Sequence, residues 1–80
     1  MYAVVILSDD MDYEVTAFES HADALSMFNH WEETIASYCV RSVSLYTVPD
    51  AASPREVVEV IEAGNKERAT LLRLKKSPNA

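Results

Sequence analysis

Glycine is almost missing from this chain: Gly64 stands alone among 80 residues. Loops that cradle phosphate need several glycines, because the backbone must approach the anion closely and take positive φ. Neither a P-loop nor a dinucleotide-binding turn can be written here. Cys39 is the single cysteine, which excludes an internal disulfide, zinc ribbons and cysteine-ligated iron–sulfur sites. That usage fits a reducing, cytoplasmic setting. No apolar run approaches the ~18–20 residues of a membrane span. The opening MYAVVILSDDMDYE has no positive n-region and soon meets acids, so a secretory signal is not expected. Cations are scarce too, with seven Lys and Arg against thirteen Asp and Glu and a net charge of −6. That balance disfavours direct binding to nucleic acid or to anionic lipid.

What is present is a chain that is 49% apolar, with periodic patterning that argues against disorder. The length suits one domain with a radius of gyration of about 12 Å, expected over residues 1–76, with a frayed tail over 77–80. Charge is unevenly spread. Residues 1–65 hold twelve acids against Arg41 and Arg55, a balance of −10. Residues 66–80 hold Lys66, Arg68, Arg73, Lys75 and Lys76 against Glu67, a balance of +4.

The run Tyr2–Ser8 is apolar on both alternating faces and predicts a strand covered on two sides. Asp9-Asp10-Met11-Asp12 marks a turn, and Tyr13–Phe18 alternates as a half-buried strand, which makes the pair a hairpin. Ser20 predicts a helix cap, with Asp23 three residues on. On the wheel that follows, Ala24, Met27, Phe28, Trp31 and Ile35 share one face, with Leu25 at its margin and Glu32 intruding beside Phe28. Tyr38–Val48 reads as a third strand. Ser53-Pro54-Arg55-Glu56 is a strong helix start, Val57, Val58, Val60 and Ile61 form its buried arc, and Gly64 stops it.

Residues 66–76, KERATLLRLKK, are good helix formers, so helix is the preferred reading and an edge strand the alternative, on the alternation of Thr70, Leu72 and Leu74. The expected fold is therefore α+β: a small β-β-α-β-α sandwich, with a mainly antiparallel three-stranded sheet of order 2-1-3 packed with two helices. Were both helices on one face, either Tyr2, Val4 and Ile6 or Ala3, Val5 and Leu7 would stay exposed, together with neighbours on the third strand. Such a patch marks an interface.

Few residues form a chemical constellation. Asp10, Asp12 and Glu14 share the first ligand spacings of a calcium-binding loop, but Val15 replaces the turn glycine and His21 the closing carboxylate. Ser20, His21 and Asp23 carry the letters of a hydrolase triad, yet they crowd one helix start where capping already employs them. His30 and Glu33 share a helix face, and Cys39 would have to join them for zinc or acid–base chemistry; a buried, inert Cys39 is the simpler expectation. No catalytic residue, metal or cofactor is expected.

The acids are the more distinctive feature. Asp9, Asp10, Asp12 and Glu14 at the hairpin, with Glu56, Glu59 and Glu62 along the second helix, make a candidate negative interaction surface, and Tyr46 lies on the candidate apolar sheet face. The expected function is a small non-enzymatic interaction module, a regulator or inhibitor that binds a partner protein through an apolar sheet face or acidic surface. A homodimer is one form that could take. Size and pattern alone associate such domains with phage and mobile-element accessory proteins. The alternatives are an acidic mimic of nucleic acid that occupies a basic groove and, less simply, a metal- or His-dependent enzyme. Convergence of the basic tail on one face would instead favour nucleic-acid contact.

Overall fold

A computed structural model describes residues 1–37 and 39–78; Tyr38, placed above at the start of the third strand, and Asn79 and Ala80 of the expected tail lie outside the described residues. The chain runs β1 (Tyr2–Ser8), β2 (Tyr13–Phe18), α1 (His21–Thr34), a 3-10 turn (Ile35–Ser37), β3 (Val40–Thr47), α2 (Pro54–Glu62) and β4 (Thr70–Lys76). The four strands form one sheet of order β2-β1-β3-β4, with every neighbouring pair antiparallel. The radius of gyration is 12.0 Å.

The fold is α+β with two helices, as the patterning implies, but the sheet has four strands rather than three. The preferred helix over 66–76 is corrected to a turn followed by the edge strand β4. The turn has a local cause: the Asn65 side chain accepts from the backbone N–H groups of Glu67 and Arg68, which redirects the chain after α2. The strand has a distant one. β3 offers an unpaired edge, and Ser42–Thr47 take Lys76–Thr70 as partners, a pairing that continues in the Ser77 N–H bond to the Arg41 carbonyl. Long-range pairing of this kind overrides helix propensity.

β1 is central and covered on both sides. On one face Val4 and Ile6, with Val43 and Leu45 of β3, pack against Ala24, Phe28 and Ile35. On the other, Ala3 packs with Val48, Val57 and Val60. Because neighbouring residues of a strand point to opposite sides, α1 and α2 lie on opposite faces. The patch expected on β1 with both helices on one face is mostly covered: Ala3, Val4, Ile6, Val43 and Leu45 are buried, while Tyr2, Val5 and Leu7 are half-buried.

The helix ends follow from the local sequence. Ser20 accepts from the Asp23 N–H to cap α1, and Ser53 accepts from the Glu56 N–H to cap α2, with Pro54 as its first residue. Gly64, at φ +66°, lets the Gly64 and Asn65 N–H groups reach back to the Ile61 and Val60 carbonyls. The hairpin turn is less relaxed. Met11 holds φ 72°, a left-handed conformation that costs a residue with a Cβ about 1–2 kcal/mol.

Candidate interaction surface

The acids expected to form one surface sit in two places with different duties. Asp9, Asp10 and Asp12 are exposed in the hairpin turn, where the Asp10 carboxylate accepts from the Asp12 N–H, and Glu14 is exposed at the start of β2. Glu59 and Glu62 are exposed on α2, Glu59 within 3.4 Å of Arg55 one turn earlier. Glu56 is half-buried and fully engaged. Its Oε1 accepts from the Ala52 N–H at 2.9 Å and its Oε2 receives the Arg68 guanidinium at 2.8 Å. Arg68 also donates to Asp50 at 2.9 Å, so one cation ties together the two loops that flank α2. Tyr46 is half-buried and packs with the α2 cluster.

The Ala52 N–H, and then Arg68, hold the Glu56 carboxyl below its ordinary value of 4.5. A carboxylate whose folded value is depressed stabilises the fold fully above its unfolded value, and that contribution is lost as pH falls through the folded one. Glu56→Gln is therefore expected to lower Tm at neutral pH and to flatten its decline below about pH 4.5; thermal melts of both proteins from pH 7 to 3 measure this.

The basic tail does not converge on one face. Arg68 is spent on Asp50 and Glu56. Arg73 lies over the Phe28 ring, 5.1 Å from its centroid, and 3.8 Å from Glu32, the acid that intrudes on the α1 stripe. The intruding charge thus finds a partner on β4, and the cation shields the edge of the core. Lys75 and Lys76, on successive positions of β4, point to opposite faces.

The residues with catalytic letters are taken up by local contacts. His21 stacks on Tyr2, and His30 meets Trp31 edge-on. Cys39 precedes β3 and is exposed, which corrects the expectation of a buried strand cysteine. Among the described residues no three His, Cys, Asp or Glu side chains gather to hold a metal ion. Among them, too, no helix is long and apolar enough to cross a membrane.

The surface that stands out carries residues given little weight above. Among the described residues the large apolar side chains left exposed are Leu71, Leu72 and Leu74 on β4, at 47, 44 and 46%, and Met11 and Tyr13 at the hairpin, at 60 and 50%. All lie on, or next to, the two edge strands. Leu71 and Leu74 pair with Tyr46 and Ser44, which places them on the α2 face. α2 itself covers the β2 side of that face, packing with Val15, Ala17 and Ala3. The β3–β4 half is left with an open trough of about 380 Å³ lined by Leu7, Arg41, Ser42 and Lys76. A shallow cleft near α2, beside Tyr46, Ile61 and Ala69, measures about 130 Å³, below the ~300–1,000 Å³ typical of small-molecule sites.

No family model, curated protein or solved structure matches this chain. In the sequence, the signal for β4 was the alternation of Thr70, Leu72 and Leu74, outweighed there by helix propensity. Its exposure had no signal at all, because it depends on where α2 comes to lie.

Proposed function

We propose that the protein is a small non-enzymatic interaction module that docks a partner protein on β4 and the adjoining bare half of the sheet. One observation carries the reading: three leucines on an edge strand are each nearly half exposed, in a domain that buries its other leucine-sized core residues well. A strand at a sheet edge presents backbone groups ready to pair, and leucines beside them supply the apolar contact that strand addition uses. Such a patch on a small soluble-type surface marks a binding site.

The acidic surface is the weaker basis, because Glu56 and Glu59 are already matched by Arg68 and Arg55. The test is comparative. Immobilised wild-type protein and a Leu71→Ser/Leu74→Ser variant, matched by far-UV circular dichroism, are presented with their source extract and with the purified protein itself. The expected result is at least one stoichiometric partner, other or self, retained by the wild type and lost by the variant. Partners held equally by both would overturn β4 as the docking edge.

A further inference from the structure

Resting on that reading, we infer that the strand β4 accepts is β2 of a second copy, so that copies join head to tail into a continuous sheet. Three features of the two edges agree.

The first is direction. Along the order β2-β1-β3-β4 each strand is antiparallel to its neighbour, so β4 runs opposite to β2. A second copy placed beside β4 in the same orientation sets its β2 antiparallel to β4, with α1 of both copies on one face. The alternation continues across the junction without a break.

The second is charge. Arg73, Lys75 and Lys76 make β4 cationic, whereas the β2 edge begins with Asp12 and Glu14. A second β4 laid on the first in the antiparallel sense would bring these cations together, and lysines on an edge strand guard against that pairing. The same lysines attract an acidic edge.

The third is register. Lys75 pairs with Val43 and Glu14 with Ile6, so both belong to the α1 face. With Lys75 opposite Glu14 of the next copy, Leu74 falls opposite Val15, both on the α2 face, and Lys76 opposite the exposed Tyr13 ring. A slip of one residue would turn each side chain to the wrong side. Leu72 is skipped in the pairing with β3, where the register shifts between Leu45 and Tyr46, so the regular part of β4 is Arg73–Lys76, the stretch this register uses. On the bare half of the α2 face, the next copy also brings its own α2, which stands over β2 beside Leu71 and Leu74.

One strand pair buries little, in the class below about 1,200 Å², so the association is weak, and its exposed ion pairs make it salt-sensitive. The contact uses different surfaces on the two copies and does not close at a dimer.

Sedimentation equilibrium over a concentration series tests this. The wild-type mass average is expected to climb past the dimer without a plateau and to fall with added salt. Glu14→Lys and Lys75→Glu, each opposing like charges, are each expected to weaken association about tenfold. The double variant, which restores the pair with signs exchanged, is expected to recover it, as is an equal mixture of the two single variants. Both positions are exposed, and circular dichroism checks that each variant folds. A dimer that Glu14→Lys leaves intact would overturn the head-to-tail arrangement. So would single variants that the sign exchange fails to rescue. A wild-type monomer at every concentration would overturn self-association, while a leucine-dependent foreign partner would still uphold β4 as a docking edge.

Discussion

Phe28→Ala is expected to remove about 3–5 kcal/mol of stability, a large share of the roughly 4–12 kcal/mol available to a domain of this length. Phe28 is the largest fully buried side chain of the cluster between α1 and the sheet, packed with Val4, Ile6, Val43 and Leu45. Its loss opens a cavity on the face of both central strands. It also removes the ring beneath Arg73, so that β4 loses part of its anchor to α1. Urea unfolding followed by circular dichroism gives the change in midpoint. A loss below about 1.5 kcal/mol would show that α1 packs otherwise than described.

Val57→Asp should cost more than about 4 kcal/mol at neutral pH, because Val57 is fully buried and packs with Ala3, Val48 and Val60, so the carboxylate would be taken out of water among apolar side chains. The neighbouring change, Val58→Asp, is the control. Val58 is only half-buried, so its cost is expected to be well under that of Val57→Asp. The pH dependence has a definite sign. Burial raises the introduced carboxyl's pKa, so the penalty is full above that raised value and shrinks as pH falls through it. Chemical denaturation of both variants at pH 7 and pH 5 measures the contrast. Equal costs at the two valines would mean that α2 does not present Val57 to the sheet.

Those two valines show how far patterning reaches. The arc Val57, Val58, Val60 and Ile61 is evident from spacing, and the structure packs three of the four against the sheet: Val57 and Val60 are buried, Ile61 packs beside them, and Val58 stays half-buried outside that cluster. The α1 stripe divides in the same way: Ala24, Phe28 and Ile35 are buried, while Leu25, Met27 and Trp31 pack at its margin. Periodicity reports which face turns inward. Depth depends on what stands opposite, and β1 supplies small Ala3 to α2 and larger Val4 and Ile6 to α1.

The candidate surface was less legible. Among the acids, Glu56 was visible as the third residue after the Ser53 cap, and its partner Arg68, twelve residues on, was not. The acidic hairpin and the cationic C-terminal stretch were both plain in the charge balance. That they lie on opposite edges of one sheet was not, because the order β2-β1-β3-β4 is a property of pairing rather than of either segment.

Legible in the residues alone were the α+β class, the hairpin, both helix starts, the glycine stop and the lack of glycine-loop and cysteine-cluster motifs. Each rests on interactions within a few residues: a cap hydroxyl, a turn carboxylate, a positive φ at Gly64. Visible only in the folded chain are that KERATLLRLKK becomes a turn and a strand, that the helices take opposite faces, and that the exposed leucines lie on β4. For the last strand the cause is pairing at a distance. A strand is completed by a neighbour distant in sequence, and the open edge of β3 stabilises an extended segment more than its own helix propensity stabilises a helix. The scarcity of glycine speaks against a phosphate-binding loop; the placement of three leucines and two lysines on the last strand is what the proposed docking edge rests on.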